Sequence, residues 1–285
     1  MKRQKLSLLI VTIFISHTML FAQAGMSVKS NSETDSKPGQ TSTLAVISQE
    51  ATTDSSAPQH NKLTADEVKD GWKLLYNGQN FDGWRGAGMK QFPTKGWHIT
   101  TDHSLEVESA EGKEAANGGD IVTLDNYSFF DLKFDFKYSP GANSGVKYFV
   151  TESYKTSGSA IGLEYQILDD ELHPDAKLGR DGNRTLSSLY DLIPANKDKK
   201  VKIATAWNSG RILVNGSHVE HWLNGYKVLE YERGSQAFRD LVKISKYRVF
   251  PDFGGAKAGH ILLQDHGGKV DFRDIKIKLL KAPVN

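Results

Sequence analysis

Cysteine is absent from all 285 residues. That excludes disulfides, thiolate metal sites, cysteine nucleophiles and lipid attachment at a cysteine. A chain without cross-links must be held by packing alone, and 38% hydrophobic with 10% aromatic residues supplies a substantial core. An excess of charge is missing too: 36 Lys and Arg stand against 34 Asp and Glu. The resulting +2 is too weak a field to recruit nucleic acid or an anionic membrane. No phosphate-cradling glycine loop, dinucleotide fingerprint or serine nucleophile elbow occurs, and no internal repeat or second domain is seen. Helical spacing is also scarce. It is limited to Leu63–Val68, capped by Thr64 in a capping box with Glu67, and Gln236–Lys246, where Phe238, Leu241, Val242 and Ser245 share a side.

The N-terminus reads as an export signal over residues 1–24. Lys2, Arg3 and Lys5 precede an apolar run from Leu6 to Phe21, and Ala22, Gln23 and Ala24 form a small-x-small cleavage site. A retained anchor is the competing reading, but about 16 residues broken by Ser16, His17 and Thr18 are short for a bilayer span. Residues 25–62 are rich in Ser, Thr, Gln, Asp and Lys and carry almost no aromatics, the composition of a flexible tether. The folded domain is expected over 63–281. Export without disulfides fits the periplasm or exterior of a bacterium, with no membrane span once the signal is cleaved.

What fills the domain is β pattern. Leu132, Phe134, Phe136 and Tyr138 alternate with Asp131, Lys133, Asp135 and Lys137, a strand packed on one side and wet on the other. Further strands are expected at Val201–Trp207, Arg211–Val214, Val219–Leu223, Lys227–Tyr231, His260–His266 and Val270–Leu279. Asn77-Gly78, Asn215-Gly216 and Asn224-Gly225 read as type I′ hairpin turns. Many strands without βαβ alternation make this an all-β sandwich of two antiparallel sheets with one or two short helices.

The candidate chemistry centres on residues 143–170. In GLEYQILDD, Leu163, Tyr165 and Ile167 face a core, while Glu164 and Gln166 stand in a row on the other face. Asp169 is at odd spacing from Glu164, and a one-residue bulge near Leu168 is needed to bring it to the same face. With that bulge two carboxylates flank an amide, the grouping that glycosidic-bond chemistry uses. Without it Asp169, Asp170 and Glu171 are a solvated strand end. On the penultimate strand Gln264 and His266 point the same way, and His266 can serve as acid, base or ligand. Asn143, Tyr190, Trp222 and Asn224 are candidate substrate contacts, Trp222 by stacking on a sugar ring. Turn formation by Asn143 and core packing of Tyr190 and Trp222 are the bland alternatives. The acidic loop 169–183 leaves a divalent metal open, but its spacing does not match a calcium loop.

Taken in order, GWKLLYNGQNFDGW, NSGVKYF, GLEYQILDD, SLYDLIP, WNSGRILVNGSHVEHWLNG and GHILLQDHGGKVDFRDIKIKLL resemble the 3-keto-disaccharide hydrolase domain family. The likeness runs from about Gly71 to Leu280. It implies a concanavalin-like jelly roll and activity on glycosides oxidised to a ketone at carbon 3. Laminarinase-type glucanases of that fold carry E-x-D-x-x-E or E-x-D-x-E, where this chain has Gln166 for the central Asp and Asp169 for the second Glu. The departure disfavours ordinary double displacement. A 3-ketone instead acidifies the C2 hydrogen, so a base, an enolate stabiliser and a leaving-group acid suffice. Glu164 and His266 are the expected base and acid in either order, with Asn143, Gln166 and Gln264 holding the sugar. A non-catalytic carbohydrate-binding module is the competing class, and a conventional glucanase a weaker third.

Overall fold

The computed structural model describes residues 59–156 and 159–282. The expected signal segment, and the expected tether as far as residue 58, lie outside the described residues. Among the described residues thirteen strands follow in order: β1 (Trp72–Leu74), β2 (Trp84–Gly86), β3 (Trp97–Ile99), β4 (Leu105–Val107), β5 (Ile121–Thr123), β6 (Phe130–Tyr138) and β7 (Asn143–Thr156). Then come β8 (Ser159–Leu168), β9 (Asn208–Asn215), β10 (His218–Leu223), β11 (Tyr226–Glu232), β12 (His260–Leu263) and β13 (Val270–Leu279). They form two antiparallel sheets. One has eight strands in the order β11-β10-β9-β6-β13-β4-β3, with β1 also on β13; the other has five, β2-β5-β12-β7-β8. This is a jelly-roll sandwich.

The period-2 pattern decides which faces meet. Phe130, Leu132, Phe134 and Phe136 of β6 and Val146, Tyr148, Leu163, Tyr165 and Ile167 of β7 and β8 are buried in one core between the sheets. A polar string crosses that core: Tyr148 Oη lies 2.8 Å from Tyr231 Oη and 2.9 Å from His221 Nε2, and His221 Nδ1 lies 3.0 Å from the Ser187 carbonyl. Burial pulls the His221 imidazole down to about 4, so it is neutral here, donating from Nδ1 and accepting at Nε2.

Helix α1 (Ala65–Lys69) begins with the expected capping box of Thr64 and Glu67. Helix α2 (Gln236–Lys243) is capped by Ser235 and buries Phe238; Ser245 instead caps a following 3-10 turn, Lys246–Val249. Asn224 and Gly225 both have positive φ in a two-residue turn joining β10 and β11, as expected of type I′.

The expected strand His260–His266 ends at Leu263, and four further local expectations differ. At Asn215-Gly216 only the glycine has positive φ, because Asn215 is the last residue of β9 and the turn proper is Gly216-Ser217, the type II′ arrangement. Asn77-Gly78 makes no hairpin, since the Asn77 side chain accepts the Gln79 and Asn80 amides in an Asx turn and β1 pairs with β13. Residues 201–207 are not a strand: the Asn208 side chain binds the Lys202 amide and the Lys202 and Ala206 carbonyls, leaving Ile203 80% exposed. Residues before 63 also pack on the domain, because His60 and Asn61 are pinned to Asp274 on β13.

Candidate active site

The outer face of the five-stranded sheet carries the site. Register places Lys147 opposite Glu164 and Gly145 opposite Gln166 on β7 and β8, while Leu262 of β12 pairs with Lys147. These residues alternate with core residues, so all their side chains leave the sheet on its outer face. The pocket above them has a volume of about 250 Å³. Six of the nine expected site residues line it: Asn143, Glu164, Gln166, Tyr190, Gln264 and His266.

Glu164 is held from two sides. A Cβ built on Gly145 would meet Glu164 Oε1 at 2.5 Å, so the absence of that carbon lets the carboxylate lie across β7. With its nitrogen turned toward the acceptors, the Gln166 amide donates to Glu164 Oε1 at 3.1 Å and to the Ser144 carbonyl at 3.2 Å. Its other end lies 3.1 Å from the Asn143 amide. One row of amides thus orients one buried carboxylate. Gln264 is buried with Oε1 unpartnered, leaving an acceptor available at the pocket wall. His266 stands at the mouth with its side chain 31% exposed, 4.0 Å from Glu114.

The free edge of β8 is closed by the segment that contains SLYDLIP. Gln166 donates to the Ser188 carbonyl, Ser187 to the Gln166 carbonyl and Tyr190 to the Glu164 carbonyl, so this loop runs as a rail beside the carboxylate strand. Tyr190 then donates its hydroxyl to Asp175 at 2.7 Å. Burial, then Asp175 itself, push the phenol well above its ordinary range. Arg184 spans Asp175 and Asp191 at 2.8 and 2.7 Å. The other Asp191 oxygen accepts the Lys246 backbone N–H at 2.7 Å, tying the 3-10 turn to the rail.

Two lysines escaped the sequence reading. Lys147 is buried 3.6 Å from Asp120 of the strand-entry loop before β5 and 3.4 Å from the Ala160 carbonyl. Burial works against its charge, but Asp120, Glu164 and Glu114 outweigh burial and hold the ammonium above its ordinary value. Burial lifts Asp120 to about 6 against the pull of Lys147. Lys246 also lines the pocket, Nζ 4.1 Å from the Tyr190 ring centroid and 5.3 Å from that of Tyr247. The only advance signal for Lys147 was parity: it is two and four residues from Gly145 and Asn143, on their face.

Asp169, Trp222 and Asn224 are elsewhere. No bulge interrupts the pairing of residues 143–148 with 163–168. Asp169 therefore leaves the groove face and caps a turn, accepting from the amides of Gly141, Glu171 and Leu172. Trp222 is on β10 of the other sheet, beneath the Arg211 guanidinium at 5.1 Å and donating to Glu220. Asn224 spends its amide on the Ser209 N–H, the Lys200 carbonyl and Asn208. Carboxylates of the acidic loop are likewise engaged: Asp170 with Leu186 N–H and Lys199, Asp175 with Arg184 and Tyr190. Among the described residues the one group of ligand atoms close enough for a metal is His218, Glu220 and Glu230, within 4.8 Å of one another. It lies on the β10–β11 hairpin, already crossed by Lys227.

A jelly roll with carboxylates, a histidine, amides and two lysines around one groove is an arrangement that suits a glycoside hydrolase. The chain belongs to the 3-keto-alpha-glucoside-1,2-lyase-like domain family, whose sequence profile matches residues 71–278. It is 36% identical over 232 residues to a 3-keto-disaccharide hydrolase of Bacteroides thetaiotaomicron, covering 74% of this chain and 79% of that one. Two crystal structures from Parabacteroides distasonis, both provisionally named glycosyl hydrolases, superpose on it. The first has a TM-score of 0.68 at 32% identity, covering 78% of this chain and 100% of the other. The second has 0.55 at 28%, covering 73% and 99%.

Proposed function

We propose that this enzyme cleaves 3-keto-glycosides by removing the C2 proton, expelling the glycosidic oxygen from C1, and adding water to the resulting enone, a net hydrolysis. The observation that carries the reading is the placement of one buried carboxylate: Glu164 lies among amides and ammonium groups on the groove floor, while Glu114 stands half exposed at the mouth beside His266 and Asp169 is turned away. Double displacement calls for two carboxyl groups about 5 Å apart across the bond. Enolisation needs one base and one cation.

Glu164 is the base in this scheme, its free oxygen directed at C2 by Gln166 and the space above Gly145. Lys147, buried and kept charged, offsets the negative charge that develops on the ketone oxygen. Asn143 and Gln264 bind ring hydroxyls. His266, at the mouth where the aglycone departs, protonates the leaving oxygen. Cleavage of a ketone-activated bond also accords with the named activity of the Bacteroides relative. Outside the cytoplasm is where we assign this activity, on the strength of the N-terminal basic and apolar segment with its Ala22-Gln23-Ala24 site.

Hydrogen exchange tests the base without a leaving group. The enzyme is expected to exchange the C2 hydrogen of 3-keto-1,5-anhydroglucitol with deuterium from D2O, read by proton NMR, and Glu164→Gln to lose that exchange. Exchange no faster than in buffer would overturn the scheme.

A further inference from the structure

Two lysines in one groove have opposite surroundings. Lys147 has a carboxylate partner, Asp120, and a carbonyl, Ala160, that fix it as an ammonium. Lys246 has neither: among the described residues its Nζ meets the faces of Tyr190 and Tyr247, at 4.1 and 5.3 Å from the ring centroids. Its backbone N–H is bound by Asp191, which anchors the root of the side chain at the groove. The Tyr190 hydroxyl, which could have accepted or traded a proton, is committed to Asp175. A desolvated lysine close to a second cation is the setting in which an amine becomes a nucleophile toward a carbonyl.

We propose that Lys246 forms a Schiff base with the C3 ketone of the sugar, so that the group Glu164 deprotonates is an iminium. This rests on the 3-keto reading above and deepens it. The uncharged Nζ adds to C3, and the carbonyl oxygen leaves as water with a proton relayed from the Lys147 side of the groove. Glu164 takes the C2 hydrogen, and the electron pair moves into an enamine rather than onto an enolate oxygen. The enamine expels the C1 oxygen, which takes a proton from His266. Water then adds at C1 and gives a proton back to His266, Glu164 returns its proton to C2, and a second water hydrolyses the iminium, releasing the 3-keto sugar and the Lys246 amine and returning a proton to the Lys147 side. One water is consumed overall, and no oxidant or reductant is needed.

The surroundings of Lys246 favour its uncharged amine more than water does. Burial comes first in drawing its pKa downward; Lys147 and Arg184 add to that, while Glu164 and Asp191 oppose it. The groups facing it are Glu164, Lys147, Arg184, Asp191, Tyr190 and Tyr247.

The test is reductive trapping. The full-length enzyme is incubated with 3-keto-1,5-anhydroglucitol and cyanoborohydride, then digested for peptide mass spectrometry. The same preparation is assayed for cleavage of a chromogenic 3-keto-glucoside. We expect Lys246 to gain the mass of the probe less one oxygen atom. We expect Lys246→Arg, which keeps a long basic side chain but offers no nucleophilic amine, to lose turnover by roughly 100-fold or more, the scale on which one catalytic group counts. If the enzyme cleaves the keto-glucoside yet no adduct forms on Lys246, or Lys246→Arg keeps full turnover, the Schiff base is overturned and the enolate route stands. If there is neither cleavage nor adduct, the 3-keto reading falls and this proposal with it.

Discussion

Gly145 and Glu164 are on neighbouring strands, and the second depends on what the first lacks: a Cβ at Gly145 would be 2.5 Å from Glu164 Oε1. Gly145 is not among the residues with positive φ, so alanine can adopt its backbone. Gly145→Ala is therefore expected to push the carboxylate off line while leaving the fold standing. A misplacement on this scale costs on the order of 100-fold in turnover. The check is kcat beside Tm, with kcat falling and Tm moving little.

Asp120 and His221 make opposite demands on pH. Asp120 is raised in the fold from 3.8 to about 6, so between those values the native state holds more proton than the unfolded chain, and stability falls as pH rises. His221 is lowered from 6.5 to about 4, so the unfolded chain holds more proton, and stability rises with pH through nearly the same window. The two slopes offset each other. Asp120→Asn removes the first and leaves the second exposed. Urea unfolding at pH 4 and pH 6.5 should show a larger loss of stability toward acid in Asp120→Asn than in the native sequence.

Lys147 in turn is expected to be intolerant of simple removal. Lys147→Met leaves Asp120 buried without its partner, a loss of about 3–5 kcal/mol. Lys147→Met combined with Asp120→Asn should recover much of that, measured in a double-mutant cycle of denaturant midpoints.

Trp222 separates groove from surface. It lies on the opposite sheet under Arg211, remote in topology from Glu164. Trp222→Ala is expected to keep kcat/KM on a 3-keto-glucoside within about twofold, since surface changes away from a site act weakly. A lectin-like reading built on Trp222 predicts lost glycan affinity in the same variant, which calorimetry would reveal.

How far these residues could be read in advance depended on whether their partners were local. Glu164 and Gln166 were legible because side chains two apart in a strand share a face. Gln264 and His266 followed the same rule, although β12 ends at Leu263. Asp169 was misread because a bulge was assumed where the pairing runs on unbroken to Leu168. Strand 201–207 failed because the side chain of Asn208 took over backbone groups that a sheet would have paired. Lys147 and Lys246 were invisible for another reason. Their surroundings are Asp120, 27 positions away, and Tyr190, 56 positions away, contacts created by topology and absent from any spacing.

Cleavage itself is the decisive measurement: aglycone release from a chromogenic 3-keto-β-glucoside and from its unoxidised parent, by the native enzyme and by Glu164→Gln. Release from the keto form alone is expected, with Glu164→Gln slower by about 10²–10⁴-fold. Equal release from the unoxidised parent, or full turnover by Glu164→Gln, would contradict a ketone-activated elimination driven by this carboxylate.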